Sequence, residues 1–137
     1  MSAIASEVET AAVAERLRDY VEAVEAEDLD RYGQLVAHDE QLAWYGSMPG
    51  QIVGWGGVQA AMREMFEGLS EIRIDQTDLR VHFSPDRQLA WATCLWDFHA
   101  KAGEEAVLEP VRCTWVLERR LGEWVIVHWH KSVGVPG

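Results

Sequence analysis

The stretch VRCTWVLERRLGEWVIVHWHKS, residues 111 to 132, decides the fold. Two β-prone runs flank Arg120-Leu121-Gly122, so the segment reads as a hairpin. Side chains on one strand face recur at every second position. On the second strand Trp124, Ile126, His128, His130 and Ser132 share a face; Val125, Val127, Trp129 and Lys131 share the other. A three-residue loop with Gly122 in the left-handed bulge position pairs Arg119 with Glu123. His128 then lies opposite Thr114, and His130 opposite Arg112. One face would carry Arg112, Thr114, His128, His130 and Ser132. A two-residue turn at Leu121-Gly122 would instead set Trp115 and Cys113 opposite the histidines.

Working outward, two more β-prone runs precede this hairpin, Ile72 to Phe83 and Leu89 to Ala100, and the third run extends back to Val107. Their connections, Ser84 to Arg87 and Ala102 to Glu105, are short, which predicts antiparallel neighbours in a meander. Everything before Ser70 is mostly helical. Val13, Leu17, Tyr20, Val21 and Val24 fall on one helix face, with Ser6 and Glu9 at capping-box spacing. A second helix begins at Asp28. Leu42 to Tyr45 and Gln51 to Val53 read as short strands around a turn at Gly46 to Gly50. Val58, Ala61, Met62, Met65, Phe66 and Leu69 stripe a third helix. Helices first and strands afterwards predict one α+β domain over residues 1–137, with three N-terminal helices on the concave face of a curved antiparallel sheet. Such an arrangement leaves a pocket between helices and sheet.

Composition narrows the function classes. The chain has 137 residues, 48% of them hydrophobic, enough to bury a core without cross-links. Twelve basic against 23 acidic residues leave a formal net charge of −11, which repels nucleic acid and anionic membranes. Cys94 and Cys113 both sit in apolar runs and read as reduced core thiols. No leader-like or membrane-length apolar stretch is visible, so a cytoplasmic location is expected. No phosphate-binding glycine motif and no activated nucleophile stand out, and no cofactor is expected.

The chemistry-bearing candidates lie on the last hairpin. Arg112 is a fixed cation suited to holding an oxyanion. His128 and His130 beside it can move a proton near neutrality. Asp97, between Trp96 and Phe98, is a candidate base or a partner for Arg112. Trp44, Tyr45 and Thr114 are candidate pocket walls. His128-x-His130 also has the spacing of two metal ligands, and Arg112 nearby argues against a metal. The whole assignment requires this face to point at the helices; facing the other way, it fails. The same residues can also form a purely structural network. Glu104, Glu105 and Glu109 read as a solvated acidic loop. The opposite face, with Val125, Val127 and Trp129 against Val111, Cys113, Trp115 and Leu117, is apolar. It is expected to be covered by a second subunit, giving a homodimer through the convex sheet face.

The run from Val111 to Ser132 resembles the ending of SnoaL-like domains in the nuclear transport factor 2-like, ketosteroid isomerase-like superfamily: an Arg-x-Thr strand, a Gly turn, a Trp, then Val-His-x-His-x-Ser. It is also similar to the end of the calcium/calmodulin-dependent protein kinase II association domain. Trp44 to Trp55, WYGSMPGQIVGW, resembles the family's glycine-punctuated turn. The resemblance implies a cone-shaped fold with a deep pocket and dimers packed through the sheet. It implies a small-molecule ligand and activities such as isomerase, cyclase or dehydratase on an apolar carbonyl or cyclic substrate, or a non-catalytic ligand-binding or oligomerisation module. Where the steroid isomerases carry a catalytic Asp, the count falls near Trp44, which cannot act as a base.

Overall fold

The computed structural model describes residues 3–46 and 50–134. Ser47, Met48 and Pro49, the tip of the expected turn, lie outside them. Helix α1 (Ala3–Glu25) and helix α2 (Leu29–Gly33) are followed by strands β1 (Ala43–Tyr45) and β2 (Ile52–Val53). Helix α3 (Trp55–Gly68) then leads into the meander β3 (Ser70–Phe83), β4 (Leu89–Ala102), β5 (Glu105–Arg120) and β6 (Glu123–Val133). The sheet order is β2-β1-β6-β5-β4-β3. One pairing, β1 with β6, is parallel, so the sheet is mixed. The expected α+β cone, three helices against one face of a curved sheet, is the observed architecture.

The helix stripes read from the sequence are the ones that bury. Val13, Leu17, Tyr20, Val21 and Val24 of α1 are all in the core. Asp28 caps α2 by accepting the Arg31 backbone N–H at 3.0 Å, satisfying a donor that the helix start leaves free. Helix α1 does not start at the expected cap: Ser6 lies inside it. Ser6 and Glu9 have another use. Arg87, in the β3–β4 turn, donates to Ser6 Oγ at 2.7 Å and to Glu9 at 2.9 Å, and Arg119 reaches the same carboxylate at 2.8 Å. Glu9 therefore ties α1 to the β3–β4 turn and to the end of β5.

The hairpin register differs from the three-residue loop. Arg120 pairs with Glu123, and both loop residues have positive φ, 50° at Leu121 and 80° at Gly122. That is the two-residue type I′ pattern, whose twist matches that of the strands. A bulge then intervenes: Leu117 pairs with Ile126 but Val116 with His128, leaving Val127 extra. At the bulge Ile126 is held from the other edge, donating to Leu35 O at 3.0 Å and accepting from Ala37 N–H at 2.9 Å. The bulge changes which side chains share a face. Trp124 and Ile126 lie with Trp129 and Lys131, not with the histidines. Beyond it Thr114 faces His130, and Arg112 faces Ser132.

Candidate functional site

The side of the sheet that meets the helices is the apolar one. Val111, Cys113, Trp115 and Leu117 of β5 are buried there, with Ile126 and Trp129 of β6. Tyr20 of α1 sits at the centre of this layer. Its ring is 5.0 Å from Tyr32, 5.7 Å from Trp115 and 6.1 Å from Trp129, centroid to centroid. Here the expectation of a second subunit over this face is corrected: the chain's own helices cover it.

Between α3 and the sheet a cavity of about 370 Å³ remains open. Tyr20, Trp44, Trp96 and Trp129 form aromatic walls, and Met62 and Met65 of α3 close it from above. Glu64, Glu109 and Lys131 also line it. The volume suits a small organic molecule, and the mix of apolar walls with a few polar groups is that of a ligand site. Trp44 keeps its place because Gly46 follows it. Any Cβ at Gly46 would collide with the Trp44 ring, so the indole folds over a bare backbone.

Two polar arrangements involve residues that line this cavity. In the first, the Tyr20 and Tyr32 hydroxyls are hydrogen-bonded at 2.9 Å in the buried interior. Burial drives the Tyr20 phenol well above its ordinary value, and the nearby Tyr32 adds to the effect. Burial also drives Tyr32 upward, with Tyr20 and the Trp44 N–H pulling weakly the other way. Both phenols thus stay protonated, as donors rather than bases. When Tyr32 donates to Tyr20, the Tyr20 proton is free for another acceptor. In the second, Lys131 Nζ donates to Glu109 Oε1 at 2.8 Å. Their side chains are 17% and 34% exposed, so this pair stands on the side of the cavity that reaches solvent. The Cys113 thiol, opposite Cys94 across β4 and β5, is pushed up by burial and then by Cys94, which leaves it a poor nucleophile.

The residues singled out from the sequence divide between the two faces. Trp44 lines the cavity. Arg112, Thr114, His128 and His130 do share a face with Ser132, but it is the face turned away from the helices. They line no part of the cavity, and the expectation that they do is corrected. The apolar alternation of β5 and β6 claims the helix side, and the polar alternation is left outside. Tyr45 is there too, its ring edge-on to His128 at 5.3 Å and to His130 at 5.7 Å. His128 donates through Nδ1 to Ala43 O at 2.9 Å, and Arg112 Nε donates to Ser132 Oγ at 3.1 Å. Asp97 is exposed on the same side and with Arg112 lines a second, more open hollow of about 380 Å³, and no hydrogen bond or ion pair joins them. No cluster of three or more potential metal ligands occurs among the described residues.

Reading the sequence overlooked Tyr20, Tyr32, Glu109 and Lys131. Glu109 is not part of a solvated loop: it lies on β5. The signal was its parity. Glu109 alternates in step with Val111, Cys113 and Trp115, as Lys131 does with Trp129, so both carry charge on the buried face.

Comparison with known proteins agrees with this geometry. A model of the SnoaL-like domain matches residues 13–136. No curated protein matches the chain. Among solved structures, a hexachlorocyclohexane dehydrochlorinase from Novosphingobium barchaimii is 17% identical, with 98% of this chain and 92% of that one covered and a TM-score of 0.84. An NTF2-like superfamily protein from Salmonella enterica is 19% identical over 96% and 94%, with a TM-score of 0.84. A ketosteroid isomerase-like protein from Erwinia carotovora is 12% identical over 92% and 96%, with a TM-score of 0.77. At such identities the likeness is one of fold. Among the described residues no helix is long and apolar enough to cross a membrane.

Proposed function

This chain belongs to the SnoaL-like domain family, and we propose that its cavity binds one apolar carbonyl or cyclic small molecule and acts on it by proton transfer, as an isomerase, cyclase or dehydratase does. The observation that supports this reading is Tyr20, which lines the cavity and whose hydroxyl is held at 2.9 Å by Tyr32. A carbonyl oxygen accepting from Tyr20 is stabilised as it gains negative charge. Glu109 is the cavity carboxylate held in place by a cation, and it takes the proton from the adjacent carbon. Lys131 positions it and steadies its charge. The oxygen becomes an enolate under Tyr20, and the proton returns from Glu109 to a different carbon, or a leaving group departs.

The test is exchange of the α-protons of 2-tetralone in deuterated water, followed by NMR. We expect catalysed exchange that falls by about 100-fold in Tyr20→Phe, the size of effect seen on removing one oxyanion donor. Exchange that is equal in the variant would remove Tyr20 from the chemistry.

A non-catalytic binding module is the second reading. The Lys131–Glu109 contact favours it, because the carboxylate is already engaged by a cation. Binding of 2-tetralone without any exchange would select it.

The outer sheet face is proposed to meet a second copy of the chain. Trp91 and Leu95 are 41% and 44% exposed on it, beside Thr93, Thr114 and Val116, which makes an apolar patch open to a partner. His130 and Arg112 would sit at its border. The location is proposed to be cytoplasmic, on the ground that the opposed thiols Cys94 and Cys113 are free.

A further inference from the structure

The outer face of the sheet carries a pair of side chains that the cavity does not use. His128 and His130 stand two residues apart on β6, so their rings project side by side. Strand β1 borders them, with Ala43 beside His128 and Tyr45 beside His130. His128 Nδ1 lies 2.9 Å from Ala43 O, and a carbonyl can only accept, so Nδ1 carries the proton. In the neutral ring the Nε2 lone pair is then free. Among the described residues Nε2 has no hydrogen-bond partner, and it is not shut off from solvent. His130 is exposed, and its ring nitrogens have no partner among the described residues either. Tyr45 packs edge-on against both imidazoles. Arg112, the cation that argues against a metal, lies opposite Ser132, two residues beyond the pairing of Thr114 with His130. Its Nε is turned to Ser132 Oγ.

We propose that His128 Nε2 and one nitrogen of His130 form a two-imidazole chelate for a borderline first-row cation such as Zn²⁺ or Ni²⁺. A ligating histidine ordinarily donates its other ring N–H to a carbonyl or carboxylate, which fixes the ring and its tautomer. Ala43 O does this for His128. The ring centroids stand 6.4 Å apart. His130, exposed and unbonded, turns about its side-chain torsions to bring a nitrogen to a metal about 2.1 Å from each ligand. No group of three potential ligands occurs among the described residues, so water fills the remaining positions. Imidazole suits Zn²⁺ and Ni²⁺, whereas Mg²⁺ and Ca²⁺ require oxygen ligands. The net charge of −11 favours the approach of a cation.

Calorimetric titration of the intact protein with Zn²⁺, Ni²⁺ and Mg²⁺ tests the assignment. Zn²⁺ and Ni²⁺ are expected to bind at one ion per chain, and Mg²⁺ not to bind. His130→Ala and His128→Asn are each expected to weaken Zn²⁺ binding by about 100-fold, the worth of a second tethered ligand. Asparagine offers Ala43 O an amide donor where Nδ1 stood and lacks Nε2, which separates folding from chelation. His99→Ala, which removes an imidazole from β4, should leave the affinity unchanged. Leu95→Arg, chosen to separate copies of the chain, should leave it unchanged too. In NMR spectra the ring resonances of His128 and His130 should shift together with Zn²⁺, and those of His82 should stay. Zn²⁺ binding no tighter than Mg²⁺ overturns the proposal. Zn²⁺ binding that survives both variants of the pair, or that His99→Ala removes, overturns it in favour of another site. Loss in Leu95→Arg overturns the single-chain chelate in favour of a metal held between two copies.

Discussion

Two faces of the same hairpin, separated by the thickness of one sheet, do opposite work. Toward the helices β5 and β6 present Cys113, Trp115, Leu117, Trp129 and Lys131, and the cavity lies over their far end. Away from the helices they present Arg112, Thr114, His128, His130 and Ser132. The second set looks more like an active site, with a fixed cation and two imidazoles. Yet the first set is the one with enclosed space beside it. Burial therefore outranks chemical appeal when a strand must be oriented. Charged groups that share the apolar parity, here Glu109 and Lys131, are the ones brought to the cavity. His130, for all its versatility, alternates with the solvated positions.

The largest expected contrast is in stability. Trp115→Ala on the inner face should cost about 3–5 kcal/mol in a urea titration, as other buried aromatics do. Thr114→Ala, its outer neighbour, should stay within about 0.5 kcal/mol. Similar losses at both positions would break the distinction between the faces. Alkaline pH sharpens it next. The Tyr20 and Tyr32 phenols ionise at an ordinary 10.0 when unfolded and above that when folded, because burial disfavours the phenolate. The unfolded chain thus sheds protons first, and stability should fall as pH rises past 10.0. Tyr20→Phe should soften that fall, measured as the pH dependence of the unfolding midpoint. On the outer face Leu95→Arg should abolish a dimer in sedimentation while shifting monomer stability by no more than about 0.5 kcal/mol. The smallest effect is expected at His130→Ala, which should leave 2-tetralone affinity in the cavity unchanged. A clear loss there would return the histidines to the ligand site.

Much of the fold was legible because its signals are local. The α1 stripe from Val13 to Val24 and the short links between the long strands each follow from periodicity or turn chemistry, within a few residues. The membership of the outer set was also legible, for a less obvious reason. The loop was read one residue too long, and the bulge at Val127 inserted one residue elsewhere. The two differences preserve parity, so Arg112 and the histidines share a face despite a different pairing. The bulge itself had no signature in the strand, since it answers to Leu35 and Ala37, far away in sequence. The orientation of the hairpin was readable from Trp115, Leu117 and Trp129 alone, had their bulk been weighted above the polar cluster. The Tyr20–Tyr32 pair was not, because it depends on how α1 and α2 pack across a turn.

Val127 gives the hairpin a mechanical analogue of a reading frame. Everything from His128 onward is in one spatial phase because this residue is extra. Pairing it with Val116 instead, with the pairing at Ile126 kept, would put the next side chains in the opposite phase. Trp129 and Lys131 would turn outward, and His128 and His130 would swing under α3. Helices, loops and sheet order could stay as they are. A slip of one residue, with no change of sequence, would then exchange an indole and an ammonium for two imidazoles inside the same walls. In a scaffold built this way, changing what the interior can do requires no new architecture, only a change of phase.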